Sequence, residues 1–472
     1  MLTLNMRSAD RKSDYIYRQI YRQLKKEILL HHFLPHEKLP SKRDLAKGLK
    51  VSVNSVNSAY QQLLAEGYIY AKERSGFYVE KLDTLPVPFG SSRALNPELA
   101  ESPDSRKDWL SFSHMSADRS CFPFDSWLNC EHKALRSRRT ELSDDPSRFP
   151  QGIYSVRRTI SRLLSVTRGV KCFPEQIVLG GGTQVLVQLL RQSFFQNATF
   201  AMEEPGYKRI YRLLTMQHAD VRTIELDDRG IKMNEINRIN PDVLYITPSH
   251  QFPTGIVMPI SRRIQLLNWA SRSENRFIIE DDYDSEFKYE CDTIPSLQGL
   301  DAFDKVIYIG TFSKSLLPGL RISYMVLPQR LLKAFREKSR FIMQTCSALI
   351  QLTLQEFIDS GEYRKHIKRM KQIYSERRMR LIEELGKKFG DDVTIYGANA
   401  GLHFMSAFKS GENVDAILRR ADEEKLELYS LRRCFLRSCI NDREPRFILG
   451  FANLSKENIE EGVNRLYRAV YG

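Results

Sequence analysis

Residues 308–321 read Tyr-Ile-Gly-Thr-Phe-Ser-Lys-Ser-Leu-Leu-Pro-Gly-Leu-Arg, an apolar run that closes in hydroxyls, a lysine and an arginine. Three other stretches share that form. Residues 179–184 (Leu-Gly-Gly-Gly-Thr-Gln) make a glycine-rich turn into a helical pattern. Residues 278–284 (Ile-Ile-Glu-Asp-Asp-Tyr-Asp) end an apolar run in acids and a tyrosine, and residues 245–255 (Tyr-Ile-Thr-Pro-Ser-His-Gln-Phe-Pro-Thr-Gly) end one in a Pro/Gly turn. Apolar runs at 176–179, 242–246, 276–279 and 305–309 alternate with helical patterns such as 184–195 and 261–271. That alternation predicts an α/β body, a parallel or mixed sheet wrapped by helices, with its ligand at the strand ends.

Singly, each of these residues has a commoner explanation, since a Lys or Arg is usually solvated and a strand-end Asp usually caps a helix. Jointly they meet one chemical demand. Lys314 offers an amine for a Schiff base, and Asp281 offers a carboxylate to keep a pyridine nitrogen protonated. Thr311, Ser313, Arg321 and the Gly182-Thr183 turn offer hydroxyls, a guanidinium and helix-end amides to a phosphate. The expected cofactor is pyridoxal 5'-phosphate.

The amino-terminal segment has a different texture. Ile16, Ile20, Leu24 and Ile28 form one stripe of an amphipathic helix. Ser41 starts a second helix running from Lys42 to about Leu49, and Ser52 caps a third. The third helix is expected to bury Val56, Tyr60, Leu63 and Leu64 and to present Asn54, Ser55, Asn57 and Gln61. Gly67 closes it, and the runs 68–70 and 77–79 then predict a hairpin with a basic tip. This is the pattern of a winged helix-turn-helix (α+β). Its polar helix face suits base edges in a major groove, and Lys72 and Arg74 suit phosphates or the minor groove. Residues 1–80 hold fourteen basic and eight acidic side chains, which attracts a polyanion such as double-stranded DNA.

Outside these elements the sequence mainly excludes. In 472 residues no apolar run is long enough for a membrane span, and the charged start is no secretory signal, so a cytoplasmic protein is expected. Seven scattered cysteines without a CxxC pair predict neither a disulfide framework nor a metal site. The expected domains are 1–80, a Pro- and Ser-rich linker over 81–108, and a body over 109–472 with a smaller subdomain from about 347.

Residues 40–79 resemble the winged helix-turn-helix of the GntR superfamily. The resemblance implies DNA contacts at Arg43, Ser52, Asn54 and Gly76, with Val53 standing where relatives usually carry Arg. The body resembles the fold-type I aminotransferases over essentially its whole length. That resemblance implies that Lys314 carries the Schiff base, Asp281 pairs with the pyridine nitrogen, Tyr283 bonds the ring O3', and Tyr207 stacks on the ring. Phe252 replaces the Asn of the family's Asn-Pro-Thr-Gly, so its bond to O3' has to come from Tyr283, His250 or Gln251. The fusion of the two modules resembles the MocR/GabR type of bacterial regulator. It implies a homodimer whose effector carboxylate is held by Arg209 and Arg433, with adjacent Arg432 making the second assignment uncertain by one residue.

Three functions fit this organisation. The first is a regulator that senses an amino acid, with γ-aminobutyrate the expected effector, as a Schiff base on the cofactor. The second is a working aminotransferase, and the third a regulator of vitamin B6 metabolism that senses the cofactor itself. Two arginines favour the first over the third, because a cofactor sensor needs no carboxylate clamp.

Overall fold

A computed structural model of the chain describes residues 15–83, 95–101, 108–114, 118–289, 295–437 and 444–472. It divides into two compact units, Met1–Asp104 and Ser105–Gly472. Most of the expected linker, together with Cys291 and Cys439, lies outside the described residues. The other five cysteines are free thiols.

In the first unit, α1 (Ile16–Leu29), α2 (Lys42–Leu49) and α3 (Val53–Ala65) precede a hairpin of β1 (Ile69–Lys72) and β2 (Gly76–Val79). Both expected caps form: the Ser41 and Ser52 hydroxyls accept from the amides of Asp44 and Ser55. Each satisfies an amide that the first helical turn leaves without a backbone partner. Ile20, Leu24, Ile28, Leu45, Val56, Tyr60 and Leu63 close a small core with Ile69 and Val79. Three expectations need correcting. Ile16, at the start of the stripe, is 46% exposed. In α3 it is Ala59 that is fully buried, whereas Leu64 is only half-buried. The strands also extend further than expected, leaving a tight turn at Glu73-Arg74-Ser75 with Arg74 in the left-handed region (φ 58).

The second unit is built on an eight-stranded sheet. In chain order its strands are β3 (Ile177–Gly180), β4 (Thr199–Glu204), β5 (Asp220–Asp227), β6 (Gly230–Ile231), β7 (Val243–Ile246), β8 (Phe277–Asp282), β9 (Val306–Thr311) and β10 (Ser323–Val326). The spatial order is β3-β10-β9-β8-β7-β4-β5-β6. Strands β9, β8, β7, β4 and β5 run parallel, and β10 is antiparallel to both its neighbours. The inner strands are buried on both faces, so their sequences read as continuous apolar runs rather than alternations. Helix α4 (Thr183–Ser193) follows β3, and α5 (Lys208–Met216) follows β4.

A smaller sheet completes this unit. Helix α6 (Glu362–Phe389) leads into the antiparallel strands β11 (Val393–Tyr396), β12 (His403–Phe408), β13 (Tyr429–Ser430) and β14 (Arg446–Gly450), ordered β11-β12-β14-β13. The short segment Leu110–Ser111 pairs in parallel with Leu426–Glu427, and Gly450 N donates to Phe112 O. This strap carries residues 112–114 to the carboxyl-terminal edge of the large sheet.

Candidate active site and nucleic-acid interface

The four strand-end stretches converge on one cavity of about 310 Å³. Its lining includes Gly182, Thr183, Tyr207, Asp281, Tyr283, Thr311, Ser313, Lys314 and Arg321, which are all the expected cofactor-binding residues.

Strand geometry selects among the three consecutive acids of β8. Side chains alternate between faces, so Asp281 enters the cavity while Glu280 and Asp282 point away. Glu280 accepts from the amides of Leu297 and Gln298, and Asp282 from Arg168 and the Tyr308 hydroxyl. One oxygen of Asp281 accepts from the Tyr245 hydroxyl, and the other, Oδ1, has no protein partner. Burial pushes the Asp281 carboxyl up to about 7; the Tyr245 bond opposes that shift, and the charges of Asp282 and Asp284 add to it.

At the other end, α4 starts at Thr183 without a side-chain cap, leaving its first amides open. Gly182 sits at φ +133, a conformation that favours glycine, and a Cβ there would also displace the Arg321 guanidinium, 2.2 Å away. The buried Ser313 hydroxyl has no partner among the described residues. Thr311 lines the cavity too, but its hydroxyl works within the turn, accepting from Ser313 N and Ser323 Oγ. An open helix end, an arginine and an orphaned hydroxyl face one way and an orphaned carboxylate oxygen the other. This polarity fits a phosphate joined to a protonated heterocycle, and it fits pyridoxal phosphate.

Lys314 lies between these ends, its Nζ donating to His114 O at 2.6 Å. Burial lowers its pKa to about 8, opposed by Asp284 and Asp281 and reinforced by Arg209. About a tenth of the amine is therefore neutral, and nucleophilic, at pH 7.

A second chamber of about 150 Å³ shares His114, Tyr207, Arg209 and Phe252 with the first, and is closed by Lys208, Tyr429, Arg433 and Cys434. Arg209 thus lines both chambers. Arg433 stacks over the Tyr429 ring at 5.4 Å, whereas Arg432 pairs with Asp415 at 3.5 Å. Of the two adjacent arginines, it is Arg433 that lines this chamber.

Sequence reasoning missed His114 and Tyr245. His114 is buried, and burial next to Lys314 and Arg209 pushes its pKa down to about 3. It arrives on the strap, far from any motif, and no local signal marks it. Tyr245 opens a stretch already singled out, and its place on the strand next to β8, in register with Ile279 on the same strand face as Asp281, was the available signal. Gln251, one expected substitute for the missing Asn, is spent locally: its amide nitrogen donates to Pro205 O and Phe252 O, and its oxygen accepts from Thr254.

In the amino-terminal unit, Arg43, Asn54, Lys72 and Arg74 are exposed. Ser52 caps α3, and Gly76 (φ +122) follows the wing turn. Asn57 is half-buried, and its Oδ1 accepts from Lys42 Nζ at 2.6 Å, so part of that amide is already engaged. The Lys72 ammonium rests 4.8 Å over the Tyr78 ring. Val53, the first residue of α3, is 45% exposed.

Comparison with known proteins agrees with this two-part layout. Residues 123–466 match the family model of aminotransferase class I and II, and residues 16–79 that of bacterial regulatory proteins of the gntR family. The chain is 38% identical to the uncharacterized HTH-type transcriptional regulator YdeL of Bacillus subtilis (strain 168), over 96% of each chain. It is 31% identical to the probable rhizopine catabolism regulatory protein MocR of Rhizobium meliloti, over 98% of this chain and 95% of that one. Among solved structures it is similar to the α-aminoadipate aminotransferase LysN of Thermus thermophilus, complexed with N-(5'-phosphopyridoxyl)-L-leucine. That match has 25% identity and a TM-score of 0.67, over 77% of this chain and 92% of that one.

Proposed function

The chain belongs to the MocR-type regulators, a gntR-family DNA-binding head joined to an aminotransferase class I and II body that uses pyridoxal phosphate, and on that premise we propose that it senses a small amino acid carrying a carboxylate. The observation that carries this reading is Arg209, shared by the chamber that holds Lys314 and the chamber that holds Arg433.

The cofactor supplies, when bound, an electrophilic carbon to which an amine adds. Asp281 Oδ1 would hold the ring nitrogen; Arg321, Ser313 and the first amides of α4 would hold the phosphate; and the Tyr207 ring would cover the heterocycle. Lys314 would supply the resident amine at that carbon, the position an effector's amine would compete for. Arg209 and Arg433 clamp the effector's carboxylate, and two guanidinium forks at a fixed reach from Lys314 select for the distance between amine and acid. Within the family this favours a GabR-like sensor of γ-aminobutyrate.

Occupancy reaches the DNA only if the ligand binds two states of the protein with different affinity. The working unit in this reading is a homodimer on an operator of two half-sites, with α3 in the major groove and Lys72 and Arg74 on the backbone. No helix among the described residues is long and apolar enough to cross a membrane.

Because Lys314 and Asp281 are both in place, a working aminotransferase is the second reading. Titrating the loaded protein with γ-aminobutyrate, then adding pyruvate or 2-oxoglutarate, separates the two. A visible spectrum that shifts with the amine and is unmoved by keto acid supports the sensor. Consumption of keto acid supports the enzyme, and no response to any ω-amino acid overturns the clamp.

A further inference from the structure

Behind the cofactor cavity lies a buried hydrogen-bonded set that the reading above does not use. His250 Nδ1 lies 3.0 Å and 3.2 Å from the two carboxylate oxygens of Asp284 and 3.1 Å from the Tyr283 hydroxyl. His250 and Asp284 are each 2% exposed. Leu402 N donates to Asp284 Oδ2, fixing the carboxylate from the small subdomain. A Cβ on Gly401 (φ +73) would lie 2.1 Å from His250 Cε1 and 2.4 Å from Asp284 Oδ2, so only glycine lets that loop close over the pair. Ligand-type atoms of His250, Asp284 and His403 also lie within 4.8 Å of one another, but the bond between His250 and Asp284 already occupies two of these groups.

The donors and acceptors of this set follow from the Asp284 carboxylate. A carboxylate only accepts, so Nδ1 carries the hydrogen and gives it to Asp284. Nδ1 then has no lone pair for Tyr283, whose oxygen can only share the same N–H as an acceptor. The phenolic proton is left free to point elsewhere, and Tyr283 lines the cofactor cavity. The neighbouring position, Phe252, presents a ring with no donor, and the Gln251 amide is spent on backbone carbonyls. Of the three residues named for the bond to O3', only Tyr283 combines a free proton with a place in the cavity lining.

We propose that Asp284 and His250 are positioning residues that turn the Tyr283 hydroxyl proton into the cavity, toward the phenolic oxygen of bound pyridoxal phosphate, replacing the donor absent at Phe252. The proposal rests on the cofactor site described above. A donor aimed at that oxygen stabilises its anionic form, so losing the donor raises the pH midpoint of the bound cofactor's visible band. The charged and titratable groups around Tyr283 are Asp281, Asp282, Asp284, Glu203 and His250, with the His403 ring 4.9 Å from that of His250 and tilted 51° to it.

The test uses the full-length chain loaded with pyridoxal phosphate, and reads that midpoint together with the dissociation constant of pyridoxal phosphate for the empty protein. Tyr283→Phe, His250→Phe and Asp284→Leu are each expected to raise the midpoint by about one pH unit and to weaken binding several-fold. His250→Asn, which keeps an amide donor near the Nδ1 position, and Asp284→Asn, which keeps an acceptor, are expected to stay near the wild-type midpoint. They also keep the proposal testable if the larger changes fail to fold. The double variant Tyr283→Phe/His250→Phe is expected to shift no further than Tyr283→Phe alone. An unmoved midpoint in His250→Phe, or shifts that add in full in the double variant, overturns the proposal. A wild-type chain that binds no pyridoxal phosphate overturns the cofactor site along with it.

Discussion

Tyr245 and Asp281 lie on adjacent parallel strands, Tyr245 in register with Ile279 two residues before Asp281, and the Tyr245 phenol occupies a single oxygen of the Asp281 carboxylate. The bond leaves Asp281 Oδ1 as the one oxygen free to meet a ring nitrogen. It also opposes the burial that pushes this carboxyl up to about 7. Removing the phenol therefore both loosens the carboxylate and favours its neutral form. Tyr245→Phe is expected to weaken pyridoxal phosphate binding roughly tenfold, the scale of one hydrogen bond to a charged group. Fluorescence titration of the empty protein with the cofactor measures it.

The same carboxyl makes the empty protein's stability depend on pH. A folded-state pKa near 7, against an unfolded value near 3.8, means that the native state binds the extra proton between those values. Stability is then full below about pH 4 and is lost as pH rises toward 7. Asp281→Asn removes that loss. Its gain over wild type in the empty protein is expected to be absent near pH 4 and to reach on the order of 2–4 kcal/mol above pH 7. Denaturant unfolding at the two pH values shows the difference, and a gain independent of pH would mean that the carboxyl is not raised.

Lys314 has the complementary dependence. Burial holds its ammonium down to about 8, and Arg209 adds to the effect. The neutral amine is the nucleophile, so the rate of cofactor uptake is expected to rise with pH through a midpoint near 8. Arg209→Gln removes a like charge and is expected to move that midpoint upward, slowing uptake at pH 7. Stopped-flow absorbance over a pH series tests both the sign and the position.

Arg433→Gln is expected to abolish the spectral response to γ-aminobutyrate, while Arg432→Gln leaves it nearly intact, because only Arg433 lines the chamber next to Arg209. Equal losses in both variants would place the effector elsewhere.

These pairs also show what the sequence could and could not reveal. Lys314, Asp281 and the Gly182 turn were legible because each lies at the end of an apolar run, and a strand of a doubly covered sheet delivers its last residues to one edge. Alternation along β8 separates Asp281 from Glu280 and Asp282, but only once the cavity face is known. Arg432 and Arg433 lie in a short 3-10 turn with no periodicity to say which faces inward. His114 reaches the cavity through two bridges between a strap and the small subdomain, a long-range pairing that no local pattern encodes. Ile16 marks the opposite limit: its spacing is regular, yet in the first turn of α1 it is 46% exposed.

On the DNA side, sequence preference and electrostatic attachment separate by residue. Arg43, Lys72 and Arg74 are exposed cations on α2 and the wing, and a cation that meets a phosphate displaces condensed counterions. Replacing any one of them with Ala is expected to weaken binding across all sequences and to lower the slope of log affinity against log salt by about 0.9. Asn54 is exposed near the start of α3 and carries no charge, so Asn54→Ala is expected to leave the slope unchanged while relaxing preference at one base position. Fluorescence anisotropy at several salt concentrations, on DNA selected from a random pool, reads both quantities. A change of slope in Asn54→Ala, or an unchanged slope in Lys72→Ala, would reverse the assignment of helix and wing.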